Sequence, residues 1–158
     1  MEKILVDEEG YEQFYKELEK IKNELSINAT AGASAISDAI GDGWHDNFAF
    51  ESAMADERKI SAKLKKMYDE QRRIKIVKYS NKEDKVNVND IVKVKINNAG
   101  YEEFKLTGKY IPDMDAEVPE ISLNSPMGKA LYLSAVPSKT FYIVDDKKIM
   151  IEIISKIK

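Results

Sequence analysis

Two long stretches of the sequence place their apolar residues at alternating intervals of three and four positions. This spacing is typical of the narrow seam along which two coiled-coil helices meet, rather than of the wider apolar stripe of a globular helix. The seam positions are Tyr11, Phe14, Leu18, Ile21, Leu25, Ala29, Ala33, Ile36 and Ile40, and then Phe50, Ala53, Glu57, Ile60, Leu64, Met67, Gln71 and Ile74. The stretches match in length, so the sequence predicts an N-terminal antiparallel two-helix coiled coil.

Local composition refines this prediction. Residues 28–35 are almost all small, and Gly32 costs about 1 kcal/mol of helix propensity relative to alanine, so we expect a thinner and softer outer part. Glu57 and Gln71 interrupt the apolar seam, and polar residues at such positions usually fix the register of the helices. The second helix is expected from Asn47 to about residue 77.

Residues 41–47, which we call the tip segment, separate the two helical patterns with the sequence GDGWHDN. Its two glycines allow a tight turn, and Asn47 can cap the helix that follows. We therefore expect a helical hairpin whose far end is formed by the tip segment.

After residue 85 the apolar period changes from about 3.5 to 2, which indicates strands. A polar hinge at residues 79–85 precedes this change. Ser125 and Pro126 have the residue types of a helix cap and first turn, so a short helix is expected from about residue 127 to 133. Strands are expected near residues 92–96, 104–106, 121–123, 140–143 and 149–153. The predicted fold class is α+β, with a coiled-coil hairpin at residues 1–78 and a small antiparallel β domain with one short helix at residues 79–158.

Composition and charge exclude several function classes. The 158 residues include no cysteine, which excludes disulfides, thiolate metal sites and a thiol nucleophile. The sequence shows neither a signal peptide nor an apolar run of about 20 residues, so a cytoplasmic protein without a membrane partner is expected. The formal charge of -3 is unevenly distributed, because the first helix is acidic and the second basic. Solvated helix faces and a stripe that binds RNA or polymerase both remain possible explanations.

Asp42 and Asp46 are the candidates for chemistry. Magnesium prefers oxygen ligands and is usually held by one or two carboxylates together with water and phosphate. Two carboxylates alone make a weak site, so the functional interpretation is that they complete a metal site whose other ligands belong to a partner. The alternative is structural, with Asp42 as a turn former and Asp46 as the anion at a helix start.

The aromatic residues around the tip segment have two explanations as well. Phe48 and Phe50 are expected to fill the last layer between the helices, whereas Trp44 could equally contact a partner or pack locally. His45 could carry a proton near a metal ion, although such a residue is more often simply solvated.

The chain resembles the bacterial Gre transcript-cleavage factors, which are transcription elongation factors. The resemblance rests on the predicted hairpin with its acidic tip, on Gly10 and Tyr11 at the start of the first seam, and on residues 121–131, ISLNSPMGKAL. It covers nearly the whole length of the chain. It implies that the β domain is FKBP-like without isomerase activity.

The resemblance also implies a partner and a mechanism. The β domain would dock on RNA polymerase at the rim of its secondary channel, and the coiled coil would enter that channel. Asp42 and Asp46 would help to hold a second magnesium ion at the polymerase active site, where the 3′ end of backtracked nascent RNA is cleaved. The chain would thus be no enzyme itself, would need no intrinsic cofactor, and is expected to be a monomer. The residues expected to contact the partner are Trp44, His45, Asn47, Ser125, Pro126 and Lys129.

The tip segment departs from the pattern of that family. Its tips usually read Gly-Asp-x-x-Glu-Asn-Ala-Glu-Tyr, whereas this chain has one extra residue before the second acid, and that acid, Asp46, is shorter than glutamate. Ala49 and Phe50 stand where Glu and Tyr are usual. A second hypothesis is therefore a Gre-like regulator that occupies the channel and modulates the polymerase without cleavage. A free-standing coiled-coil adaptor or prolyl isomerase is the third.

Overall fold

The computed structural model describes residues 2–38, 48–80 and 82–157. The chain divides into two compact units. We call Phe14–Arg73 the helical unit, and Met1–Gln13 together with Ile74–Lys158 the sheet unit. The sheet unit thus contains the first thirteen residues and residues 74–78, which the sequence analysis assigned to the helical hairpin.

Two long helices, α1 (Glu8–Asp38) and α2 (Phe48–Gln71), confirm the prediction of a helical N-terminal half. Helix α1 begins where Asp7 acts as its cap, because the Asp7 Oδ1 accepts a hydrogen bond from the backbone N–H of Gly10 at 2.8 Å. Glu8 and Glu9 occupy the first turn, where negative charge is favourable at the positive end of the helix dipole.

Contacts within the helical unit show that α1 and α2 run antiparallel. Near the start of α1 the Gln71 Nε2 donates to the Tyr15 hydroxyl at 2.8 Å, as expected of a polar seam residue that fixes register. Further along, the Asn28 Nδ2 donates to the carbonyl of Ala53 at 2.8 Å. The seam is buried at Phe14, Leu18, Ile21 and Met67, whereas Ile36 is exposed, so burial decreases away from the first turns of α1.

The second helix is shorter than predicted. Helix α2 ends at Gln71, and Ile74–Ile76 forms strand β2, which pairs in parallel with β1 (Ile4–Val6). Ile74 is therefore a strand residue, and its assignment to the helical seam was wrong. The reason is local, because Ile74, Ile76 and Val77 are β-branched and favour an extended backbone. Strand β1 was not predicted.

The remaining strands form one five-stranded sheet in the order β5-β4-β3-β7-β6. Neighbouring strands are antiparallel except β4 and β5, which are parallel. The sheet is therefore mixed, and the prediction of an antiparallel sheet was wrong at the edge formed by β5. The bounds are β3 (Ile91–Ile96), β4 (Tyr101–Thr107), β5 (Glu120–Ser122), β6 (Ser138–Val144) and β7 (Lys147–Ile157). The strands of the two hairpins β3–β4 and β6–β7 lie where strands were predicted.

Helix α3 (Pro126–Leu131) covers one face of this sheet, which we call the inner face. It contacts β5 and β6, and its Leu131 is fully buried in the core. The strands contribute every second residue to this core, as period-2 patterning requires. The fully buried core residues are Val86, Val88, Val92, Val94, Leu106, Leu123, Leu131, Ile151 and Ile153.

Candidate functional site

Five of the predicted site residues lie in the tip segment, outside the residues that the structure describes. These are Asp42, Trp44, His45, Asp46 and Asn47. Their roles as metal ligands and partner contacts stay predictions. The tip segment belongs to residues 39–47, which connect the last residue of α1 with the first of α2.

The described residues next to the tip segment correct one expectation. Phe48 is 83% exposed and does not fill the layer between the helices. Phe50 is half-buried and, together with Gly32, Ile36 and Met54, lines a cavity of about 230 Å³ between α1 and α2. Small residues on α1 leave this space, which agrees with the thinner outer part expected from residues 28–35.

Ser125 is engaged inside the fold. Its hydroxyl accepts a hydrogen bond from the backbone N–H of Gly128 at 3.0 Å and donates to the carbonyl of Ser122 at 2.8 Å. It is therefore the cap of α3, as predicted, and Pro126 occupies the first turn. A Cβ on Gly128 would lie 1.9 Å from the Ser122 carbonyl oxygen, so only glycine permits this close approach.

Asn124, the residue before this cap, holds the first strand in place. Its Oδ1 accepts from the backbone N–H of Leu5 at 2.7 Å, and its Nδ2 donates to the carbonyl of Leu5 at 2.8 Å. The side chain thereby satisfies the same pair of backbone groups that a neighbouring strand would satisfy. The Asn-Ser-Pro segment thus connects strand β1 with helix α3, a structural role that the sequence did not predict.

Lys129 and Pro126 form the exposed part of α3. The Lys129 Nζ lies 2.7 Å from the Glu2 Oε1, and both side chains are largely exposed. Such a surface ion pair stabilises a protein by at most about 1 kcal/mol, so it costs little to exchange Glu2 for a carboxylate of a partner. Pro126 and Lys129 are therefore accessible to a partner.

A buried carboxylate lies near the start of α1. Glu120 is 3% exposed, and its Oε1 lies 3.0 Å from the Lys109 Nζ and 3.4 Å from the Lys105 Nζ. Its Oε2 accepts from the backbone N–H of Asp113 at 2.9 Å. Burial opposes the charged form, but the Asp113 amide and the two ammonium groups outweigh it and lower the pKa of Glu120.

A second buried ion pair closes the loop of residues 82–90. The Lys156 Nζ lies 3.0 Å from the Asp90 Oδ2, and Asp90 is fully buried. The same ammonium group donates to the carbonyl of Lys82 at 2.9 Å and to the carbonyl of Lys85. The Asp90 Oδ2 also accepts from the backbone N–H of Asn87 at 2.8 Å. Sequence patterning missed this cluster because its residue types are usually exposed.

The described part of the chain offers no metal site of its own. Across residues 2–38, 48–80 and 82–157, no group of three or more histidine, aspartate or glutamate side chains is placed to hold a metal ion. Within the same ranges, no helix is both long and apolar enough to cross a membrane.

Comparison with known proteins gave matches among solved structures. GreA factor homolog 1 (Gfh1) of Thermus thermophilus is 17% identical over 99% of both chains, with a TM-score of 0.43. Gfh1 of Thermus aquaticus is 18% identical over the full length of both, with a TM-score of 0.43. A transcription elongation factor GreA/GreB of Nitrosomonas europaea is 16% identical over 99% of this chain and 100% of its own, with a TM-score of 0.40. This chain is similar to all three.

No family profile matches the sequence, and no curated protein matches it either.

Proposed function

We propose that this protein is a transcription elongation factor of the Gre type, which binds RNA polymerase in the cytoplasm and stimulates cleavage of backtracked nascent RNA. In this proposal α1 and α2 form a coiled coil that enters the secondary channel of the polymerase. The polymerase provides the catalytic centre, and this chain provides Asp42 and Asp46.

The antiparallel arrangement of α1 and α2 carries the proposal. Hydrogen bonds at Tyr15–Gln71 and Asn28–Ala53 support two helices that lie side by side over most of their length. Residues 39–47 connect their far ends, so both acids belong to the segment that leads from one helix to the other. A pair of packed helices is stiff enough to carry such a segment into a narrow channel, because most helical stability in proteins comes from the packing of an apolar face rather than from intrinsic propensity.

Asp42 and Asp46 would act as ligands for a magnesium ion shared with the polymerase. A bound magnesium ion generates a nucleophilic water and stabilises the charge that develops during phosphodiester hydrolysis. In this proposal the two carboxylates supply negative charge and oxygen ligands, while Trp44, His45 and Asn47 contact the channel and the RNA 3′ end. Two carboxylates are too few to hold magnesium tightly without the partner.

The sheet unit would supply the docking surface as an FKBP-like domain. Support comes from the way α3 is built, because the Ser125 cap and the close approach of Gly128 to Ser122 fix Pro126 and Lys129 in one orientation. A preorganised surface binds with a smaller loss of conformational entropy than a mobile one. Contacts of Ser125, Pro126 and Lys129 with the polymerase are part of the proposal.

The test is cleavage of RNA in a backtracked elongation complex of the cognate polymerase. Addition of the protein should release short 3′ RNA fragments, and Asp42→Asn and Asp46→Asn should each abolish this stimulation while the variants still compete for polymerase binding. Asp56→Asn is the matched control, because Asp56 is an exposed aspartate of α2 that pairs only with Lys59 among the described residues. Full stimulation by both tip variants would refute the metal role.

The alternative is a Gre-like factor that occupies the channel and inhibits the polymerase without cleavage. It is favoured by the extra residue before Asp46 and by the shorter side chain of that acid relative to glutamate. In the same assay such a factor would slow nucleotide addition and release no RNA fragment. Any protein-dependent fragment that disappears in Asp42→Asn excludes this alternative as the sole activity.

A further inference from the structure

One edge of the five-stranded sheet is open. Strand β6 is the last strand in the order, and within residues 2–38, 48–80 and 82–157 it pairs only with β7. The pairing of β6 with β7 keeps one register from Ser138 to Val144, without a bulge. The opposite edge of β6 therefore presents a straight row of backbone N–H and C=O groups over seven residues.

Native proteins usually protect such an edge with charges, proline, a bulge or a very short strand. Strand β6 has little of this protection, because Lys139 is its only charged residue. Toward its end the strand has three exposed apolar side chains, Phe141, Ile143 and Val144. An unprotected apolar edge is a template for the addition of another strand.

The side chains beside this edge define the chemistry of what it can bind. Phe141 lies directly opposite the exposed Met150 of β7, on the outer face of the sheet away from α3. The Lys148 Nζ lies 4.1 Å from the centre of the Phe141 ring and forms no ion pair with any carboxylate of the described chain. The surface is therefore apolar with an uncompensated positive charge, which is complementary to apolar side chains accompanied by carboxylates.

We propose that the open edge of β6 binds an extended segment of a partner protein as a sixth strand. The segment carries apolar residues opposite Phe141 and Ile143, and a carboxylate that reaches Lys148, whereas Lys139 is already paired with Glu152 at 3.5 Å. A helix cannot fill this role, since its backbone groups are already paired and would leave those of the β6 edge unsatisfied. This interaction is separate from docking on RNA polymerase and does not depend on it.

A second copy of this chain fits the edge less well. In an antiparallel pair of two β6 strands, each copy contributes Lys139 as its only charged residue on that strand. Because β6 itself contains no carboxylate, such a pair would leave Lys148 without one. An acidic segment is electrostatically favourable at the same place.

The proposal is tested with the full chain and a synthetic peptide, Thr-Glu-Thr-Ile-Thr-Val-Thr-Glu-Thr, labelled with a fluorophore. As a strand, this peptide places its two glutamates and two apolar residues on one face. Fluorescence anisotropy should show saturable binding, and amide hydrogen exchange should become slower within residues 138–144. The same peptide with N-methyl groups on alternate residues should not bind, because it lacks the backbone donors of one edge.

Variants of the protein locate the site. Ile143→Glu should weaken peptide binding by about fivefold or more, because it removes an apolar cross-strand contact and places a carboxylate opposite Lys148, where it repels the glutamates of the peptide. Ile157→Glu is the matched control, since Ile157 is 61% exposed against 58% for Ile143 and lies at the end of β7. It should leave binding unchanged.

Three results would overturn the proposal. Equal binding of the methylated and unmodified peptides would show that no strand is added, and absence of binding at the highest soluble peptide concentration would show that the edge is closed. A dimer of the unliganded chain in sedimentation experiments, lost in Ile143→Glu, would assign the edge to a second copy instead.

Discussion

The helical unit and the sheet unit are stabilised in different ways. Among the described residues of the helical unit, the buried apolar side chains are Phe14, Leu18, Ile21 and Met67, all toward one end of the helix pair. The sheet unit has a continuous buried core and two buried ion pairs. The difference predicts that the sheet unit is the more stable of the two, and that the helical unit becomes less stable toward the end of α1. In the proposed function, a unit that enters a partner can tolerate this gradient, whereas a unit that docks needs a fixed surface.

The largest effect is expected when the buried ion pair of the sheet unit is broken. Lys156→Met leaves the Asp90 carboxylate buried without its cation, which costs about 3–5 kcal/mol. The matched control is Lys139→Met, because Lys139 pairs with Glu152 at 3.5 Å in an exposed position, and such pairs contribute at most about 1 kcal/mol. Chemical denaturation measures the free energy of unfolding of both variants. Equal losses of this free energy would show that the pair of Lys156 and Asp90 stabilises the protein no more than a surface pair does.

Two glycines of helix α1 should respond to alanine with opposite signs. A Cβ on Gly10 would lie 2.0 Å from the carbonyl oxygen of Gly108, and relief of that clash shifts the backbone at a cost of about 1–3 kcal/mol. A Cβ on Gly32 would lie 3.7 Å from the Ala53 Cβ, which is ordinary contact, so alanine there should add about 0.5–1 kcal/mol of helix stability. Thermal unfolding followed by circular dichroism tests both variants.

A stabilisation by Gly10→Ala would contradict the close backbone approach within the sheet unit. A destabilisation by Gly32→Ala would contradict the open outer part of the helical unit.

Leu133 offers a smaller test within the sheet unit. Its φ of 62° places a leucine in the left-handed region, which costs about 1 kcal/mol or more and which glycine adopts freely. Because the side chain is 44% exposed, little packing is lost on its removal. Leu133→Gly should therefore raise the free energy of unfolding by about 1 kcal/mol. Leu133→Ala keeps the strain and should not stabilise the protein.

The smallest predicted effect is a dependence on pH. The pKa of Glu120 is lowered in the folded protein, so its contribution to stability is present above the unfolded-state pKa of about 4.3 and is lost as pH falls through the folded value. Glu120→Gln removes this group, so its stability should fall less than that of the parent between about pH 6 and pH 3. Glu102→Gln, which changes an exposed residue of β4, should behave like the parent.

Periodic patterns predicted most of the fold. The three-four spacing located both long helices, and the period of two located the hairpins β3–β4 and β6–β7. The strands Ile4–Val6 and Ile74–Ile76 were missed because three residues are too short for a period, and each needs a partner about seventy positions away in the sequence. The end of α2 was placed too late because Ile74 also fits the three-four spacing, although the β-branched residues that follow the helix favour an extended backbone.

Less of the candidate site than of the fold could be predicted from the sequence. The cap at Ser125 followed from its residue type and from Pro126 after it, and the structure confirms it. The bonds of Asn124 to Leu5 and the burial of Glu120 and Asp90 depend on contacts between residues far apart in sequence, which no local pattern contains. The roles of the tip segment stay predictions.

The Lys156 ammonium group affects how the folding of the sheet unit depends on the salt in solution. A loop that closes around carbonyl oxygens and a carboxylate commonly needs a cation from solution, and its stability then varies with the salt present. Here the cation is covalently part of strand β7, so its effective concentration at the loop of residues 82–90 does not change with the medium. The sheet unit therefore keeps the same loop conformation across the ionic strengths at which charged partners of proteins associate and separate.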